Sequence, residues 1–254
     1  MTTAKIKAIM LDVVKKIVVL SVLTLLWWLA SVAVDRSILP APLTVFDALI
    51  HNRSVILSHA WYSLRRIGGG VGLALLVSIP IGMFMGYYRM IDSLFSPVIY
   101  ILSPTPKITF LPLIMLFLGL GDNARIFLVF LTLVFPLIVA LRDAIKKIPD
   151  DVYAPLIAAK CSHVFILYHI VFLGGLPAIF TALRLSLAVG ISVLFISENF
   201  GTRMGLGYFI MDSWMTIRYP AMFAGILSMG ILGFVLTAFV DFLQKKICPW
   251  AESR

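Results

Sequence analysis

The chain has 254 residues, 61% of them hydrophobic and 13% charged, with a mean hydropathy of +1.04 and a net charge of +9. A soluble domain carries roughly 25% charged and about 45–50% apolar residues, so water is excluded as the main solvent and the chain reads as an all-α, polytopic membrane protein. The positive charge does not point to nucleic acid, because the basic residues sit in short clusters between apolar runs, as membrane topology produces.

A span needs about 20 predominantly apolar residues to cross roughly 30 Å of hydrocarbon. Six are predicted, near 17–34, 67–88, 94–118, 124–141, 176–197 and 220–243. The first follows "TTAKIKAIMLDVVKK" and no small-residue cleavage site follows it, so it reads as a retained anchor. "SILPAPLTVFDALIHNRSVILSHAWYSLRR" is expected to form a short helix capped at Thr44 at the membrane surface.

Span two holds Gly68, Gly69, Gly70, Gly72, Gly82 and Gly86, small residues that let helix backbones approach where packing replaces the hydrophobic effect. Span three contains "SPTPKITFLP". Pro104 and Pro106 each remove a backbone donor there. Broken helix at membrane depth is tolerated only against protein or a water-filled cavity, so Ser103, Thr105, Lys107 and Thr109 are candidates for lining a path. Three roles are open for Lys107: attraction of an anionic solute, snorkelling, or hydrogen bonds to carbonyls freed by the prolines.

Between spans four and five, "YAPLIAAKCSHVFILYHIVFLGGLP" over Tyr153–Pro177 reads as a half-polar helix carrying Lys160, His163 and His169. The two histidines are six apart, on opposite helix faces, which argues for a solvated or docking face over a metal site. Arg184, one to two turns into span five, is expected to snorkel. Glu198 ends that span, where it would cap the following loop, pair with Arg203 or meet solute. "ENFGTRMGLGYFIMDSWMTIRYP" is glycine-punctuated, then helical. No linker or repeat interrupts the chain, which reads as one membrane domain over 1–254, with an anchor segment over 1–36 and a core over 60–246.

Orientation follows from lysine and arginine in short loops. With the amino terminus inside, twelve basic residues lie inside and seven outside; nine of the ten lysines are inside and Lys107 is within a span. Both termini and the 142–175 loop are therefore expected in the cytoplasm, where Cys161 and Cys248 would stay reduced. No GxSxG, HExxH, Walker phosphate loop or Gly-rich dinucleotide turn is present. No enzyme constellation is visible, so the energy for any transport would come from outside this chain. A secondary transporter would show inverted repeats and buried acidic residues near the bilayer midplane, and neither is seen.

Five stretches carry a family resemblance. "ILPAPLTVFDAL" is similar to "LPSPxxVxxAL"; "SLRRIGGGVGLALLVSIPIGMFMG" to "SLxRVxxGFxxAxxxGxPLGxxMG"; and "LSPTPKITFLPLIMLFLGLGDNARIFLVF" to "LRPxPxxAxxPLxxLWFGxGxxSKIxLI". "LPAIFTALRLSLAVG" and "ENFGTRMGLGYFIMDS" follow in order. Together, over about residues 38–248, they resemble the permease subunit of a type I ABC importer, in its nitrate, taurine, alkanesulfonate and bicarbonate branch. The resemblance implies a multi-pass protein of the bacterial inner membrane, working beside a second permease subunit, the same or different. It also implies an ATPase dimer that binds the ATP and magnesium, a periplasmic or lipid-anchored substrate-binding protein, and a path lined by spans two, three, five and six for a small anionic solute.

The family's cytoplasmic loop carries a Glu-Ala-Ala motif, then Gly, then an apolar helix ending at Leu-Pro, and it implies a coupling helix in a groove of the ATPase. Counting back from Leu176-Pro177 places Ala154, Pro155 and Leu156 on Glu-Ala-Ala and Lys160 on the glycine; a register on Ala158 and Ala159 needs a three-residue deletion. Glutamate and glycine are absent either way. The glycine would permit a left-handed turn without steric cost, and the glutamate would offer a charge to an ATPase arginine. The expected coupling surface, about 150–170, therefore rests on those residues with Ser162, His163, Val164, Phe165 and Tyr168. A decayed permease half acting as scaffold in a heterodimer is the alternative.

Overall fold

A computed structural model describes residues 2–34 and 38–251, without the side chains of residues 2–9, 11–13, 16 and 157. Arg36 and Arg254, both in the charge count above, lie outside the described residues, as do the side chains of Lys5, Lys7 and Lys16. Every regular element described is helical: α1 (Thr2–Ala33), α2 (Pro42–His51), α3 (Arg53–Tyr87), α4 (Arg89–Leu102), α5 (Leu111–Leu118), α6 (Asp122–Lys146), α7 (Asp150–Ala158), α8 (His163–Ile166), α9 (Leu173–Ser197), α10 (Leu206–Met215) and α11 (Tyr219–Ile247). A π-helical turn, Leu167–Phe172, joins α8 to α9 without a break.

Four helices are long and apolar enough to cross a membrane: α3, α6, the continuous helix His163–Ser197, and α11. A fifth candidate is the pair α4 and Lys107–Leu118, bent by 84°. Its ends decide whether it crosses. Asp92 in the first turn of α4 pairs with Lys146 in the last turn of α6 at 2.5 Å. Arg125, in the first turns of α6, donates to the carbonyls of Leu120 and Gly121 just after α5, both at 2.7 Å. The bent pair starts beside one end of α6 and finishes beside the other, so it is a broken span and not a re-entrant loop. The apolar part of α1, Ile17–Ala33, is shorter, near the lower limit for crossing. By length the described helices account for five crossings, and the expected sixth rests on that shorter stretch.

The core is built on α6, flanked by α3 and α9. One stripe of α3 carries Gly70, Ala74, Ser78, Gly82 and Gly86, each four residues from the last; one stripe of α6 carries Val129, Leu133, Leu137, Leu141 and Ile145 at the same spacing. Matching fourfold ridges let the two helices interdigitate at close range. A Cβ on Gly70 would lie 2.4 Å from Val129 Cγ1, and one on Gly86 2.6 Å from Ile145 Cβ. Gly68 and Gly72, grouped with these in the sequence, face open space instead. On the other side, Leu176, Ile179, Leu183, Leu187 and Leu194 of α9 complete the core. A second cluster joins α2, α10 and α11 through Val45, Leu206, Phe209, Ile210 and Ala224.

Two local expectations are corrected. The surface helix α2 begins at Pro42 with Ala41 before it and no side-chain cap. Proline at the first position presets φ and lacks an N–H that would be unpaired anyway, so the helix starts without Thr44. Tyr153–Pro177 is not one helix: α7 ends at Ala158, the chain turns at Lys160, and a new helix starts at His163.

Candidate functional site

Three places concentrate polar groups: the end of the bundle at Glu198, the break in the span at Lys107, and the opposite end at Tyr153.

At the first, the Glu198 carboxylate is wholly buried. It accepts from Ser63 Oγ at 2.9 Å to each oxygen, from Arg66 Nη1 at 2.8 Å and from the Gly207 N–H at 2.8 Å. Its partner is Arg66 and not Arg203. The guanidinium of Arg66 also donates to Asp122 at 2.8 Å and to the Met204 carbonyl at 2.7 Å. The N–H groups that open α10 are held in turn: Gly205 donates to His59 Nδ1 at 3.1 Å and Leu206 to Ser63 Oγ at 2.9 Å. A helix start has unpaired donors and a positive dipole end; here buried acceptors, one of them a carboxylate, satisfy both. Gly205 has φ +118°, and a Cβ on it would lie 2.3 Å from the Glu198 Cδ. The glycine is required so that the loop can wrap the carboxylate. Arg125, equally buried, ties the Leu120 and Gly121 carbonyls to that of Phe200.

Arg66 and Arg125 are among the seven basic residues that the charge count places outside. Their signal lay in the family patterns: Arg66 is the arginine of "SLxR", and Arg125 stands at the basic position of "GxGxxSKI". Arg184 likewise does more than snorkel. It pairs with Asp241 of α11 at 2.6 Å and donates to Gln244 at 2.5 Å, which ties α9 to α11.

At the break, Ser103, Thr105, Lys107 and Thr109 come together; Glu198, for which contact with solute was one reading, is enclosed in the buried cluster described above. Lys107 is 8% exposed and its ammonium turns onto backbone oxygens. Thr105 and Thr109 hydroxyls donate to the carbonyls of Leu102 and Pro106 at 2.6 and 2.7 Å.

The Tyr153 end is built differently. Among the described side chains of α7 none is buried, and Tyr153 is its anchor, packed on the core and 6.0 Å from the Tyr87 ring. Burial, with help from Tyr87 and Asp150, raises the Tyr153 phenol above its ordinary value and keeps it neutral. Behind α7 lies a cavity of about 930 Å³ lined by Tyr87, Arg89, Asp92, Lys146, Asp150 and Tyr153 among others. α7 closes with the Cys161 N–H on the Leu156 carbonyl at 3.0 Å and Lys160 at φ 55°, the hydrogen bond and left-handed residue of a Schellman turn. Ser162 then caps α8 by accepting from the Phe165 N–H at 3.2 Å. Ala154, Pro155, Ala158, Ala159, Lys160, Ser162, His163, Val164, Phe165 and Tyr168 all project from this knuckle, while Leu156 is half-buried. Val164 is 75%, Tyr168 53% and Phe165 42% exposed. The His169 ring stacks on Phe165 at 4.1 Å. Among the described residues no three His, Cys, Asp or Glu side chains gather closely enough to hold a metal ion.

A family model described as "Binding-protein-dependent transport system inner membrane component" matches residues 78–249. The chain belongs to this family. It is therefore a membrane permease subunit and not an enzyme; ATP hydrolysis falls to partner ATPases. It is 27% identical to the taurine transport system permease protein TauC of Escherichia coli over 240 residues, covering 91% of this chain and 87% of that one. Against the nitrate import permease protein NrtB of a Synechocystis strain it is 25% identical over 187 residues, 74% of this chain and 68% of that one. Among solved structures, a chain of the MetNI methionine ABC transporter in an inward-facing conformation superposes with a TM-score of 0.65 at 17% identity, covering 77% of this chain and 97% of that one. The fold is that of a type I ABC importer permease.

Proposed function

We propose that this permease carries a small anion, of the sulfonate or oxyanion type, and that the knuckle at Ala154–Tyr168 is its coupling segment, inserted into a groove of an ATPase subunit on the cytoplasmic side. The observation that carries this reading is the knuckle itself. Three large apolar side chains, Val164, Phe165 and Tyr168, stand exposed beside the polar turn of Lys160–His163. An apolar cluster rimmed by polar residues outside the membrane marks a protein contact. The left-handed turn persists with lysine where the family has glycine, which favours a working coupling segment over a decayed scaffold. The anionic solute is favoured by the relatives named for taurine and nitrate. The assembly would comprise two permease subunits, an ATPase dimer beneath and a binding protein above, with both termini in the cytoplasm. The break at Ser103, Thr105 and Thr109 would border the path.

Two experiments test this. Phe165→Ala and Tyr168→Ala should each weaken ATPase binding about tenfold, as for buried aromatic anchors, while the permease's own stability shifts by no more than about 0.5 kcal/mol, as for surface positions. Unchanged binding in both variants would remove the knuckle from the interface. For orientation, with Cys161 and Cys248 replaced by alanine, an impermeant thiol reagent added outside should label Thr202→Cys and spare Ser162→Cys. The reverse pattern would invert the topology.

A further inference from the structure

Pro104 and Pro106 have no N–H to give the carbonyls at the end of α4, and the turn itself supplies only Thr105, whose N–H and hydroxyl both reach the Leu102 carbonyl at 3.3 and 2.6 Å. The Lys107 side chain turns back into that gap. Its Nζ, with three N–H to share, lies within hydrogen-bond distance of four oxygens: the carbonyls of Leu102, Ser103 (3.2 Å) and Thr105 (2.9 Å), and Thr105 Oγ1 (2.9 Å). The open side of the ammonium faces the Phe135 ring of α6, 5.0 Å from its centroid. Neutral oxygens on one side and an aromatic face on the other form the surroundings of a dehydrated monovalent cation. Unwound carbonyls and half-helix C-terminal ends coordinate Na⁺ in the broken helices of transporters for the same reason, and the negative end of the α4 dipole adds to the attraction.

We propose that Lys107 is a tethered cation. Its ammonium fills a cation cage that the broken span would otherwise have to fill with a free alkali-metal ion, and by doing so it fixes the 84° bend and binds it to α6 through Phe135. Lys107 is then a positioning residue for translocation. With its donors committed to oxygens and its side chain 8% exposed, it offers little to a passing solute. What it sets is the place of α5, which borders α9 across an apolar hollow lined by Ile108, Leu111, Met115 and Ile196.

The test uses the assembled complex with its ATPase and binding protein in proteoliposomes, reading thermal stability and the uptake parameters together. Lys107→Met should lower the melting temperature by about 5 °C or more, the scale of a lost buried interaction in a chain of this size, and should cut maximal uptake several-fold with KM unchanged. Lys107→Ala should show the same losses, partly reversed by n-propylammonium or K⁺ but not by tetramethylammonium at equal ionic strength. A KM raised tenfold at unchanged stability would make Lys107 a solute contact and overturn the proposal, as would unchanged stability with unchanged uptake. A loss of stability that neither small cation relieves would reduce the site to ordinary packing. If neither lysine variant assembles, Phe135→Leu decides: a smaller fall in melting temperature with KM unchanged supports the cage, and wild-type stability removes its aromatic wall.

Discussion

The two ends of the bundle solve opposite problems. At the Glu198 end, α3, α6, α9 and the start of α10 converge on charges that are fully enclosed and paired, Arg66 at 2% exposure and Glu198 at 0%. At the Tyr153 end, α7 stands over a cavity of about 930 Å³ and none of its described side chains is buried. Breaking a buried pair leaves an uncompensated charge, so the first end tolerates one arrangement. The second is held by few apolar contacts, which is the condition for low local stability. The contrast is that one end is locked by buried polar groups that satisfy one another, while the other leaves α7 lightly packed.

The largest effect should come from breaking the locked end. Glu198→Ala leaves Ser63 Oγ and the Gly207 N–H without their acceptor and leaves the buried Arg66 only the partly exposed Asp122 as counter-charge, and removing one partner of a buried ion pair costs about 3–5 kcal/mol. Little assembled protein should be recovered, as read by detergent-stable yield and thermal unfolding. Glu198→Met combined with Arg66→Met should be less damaging than the sum of the single changes, because the two act as one unit. Strict additivity would mean that the charges do not support each other.

This pair also shows where sequence reading stops. The crossing helices were legible from hydropathy, and the break in span three from the two prolines that flank Thr105 directly. The Arg66–Glu198 contact was not, since the residues are 132 apart in the chain. Adjacent Arg65 and Arg66 made the apolar run seem to begin at 67, whereas α3 begins at Arg53; arginine is a good helix former, so the end of an apolar run is not the end of the helix. The contact of Arg184 was hidden as well, since its partner Asp241 lay inside the predicted sixth span. The turn at Lys160 carried no glycine or proline to announce it.

A smaller effect separates two glycines. Gly205→Ala places a Cβ against the Glu198 carboxylate at a φ of +118°, and a side chain in such a region costs about 1–3 kcal/mol before any clash is counted. Gly72→Ala meets nothing within 4 Å inside α3, where alanine is favoured over glycine by about 0.5–1 kcal/mol. The first should lower the melting temperature and the second should hold or raise it. Equal responses would mean that the glycine-punctuated loop does not close on Glu198.

The smallest effect, and of opposite sign, belongs to the lightly packed end. Lys160 holds φ 55°, a conformation that costs an L-residue roughly 1–2 kcal/mol, and its exposed side chain makes no contact that would offset this through burial. Glycine removes that cost but loses about 0.5–1 kcal/mol more backbone entropy on folding. The difference leaves Lys160→Gly more stable by about 0.5–1 kcal/mol, seen as slower amide exchange over residues 156–164. Lys160→Ala is the control, because it removes the same ammonium and keeps the same backbone cost, so it should show no gain. Alanine matching glycine would trace the effect to the lysine charge, and the turn would then carry no strain. A gain for glycine alone would show that the knuckle keeps its shape against its own sequence, at the end proposed above to meet the ATPase.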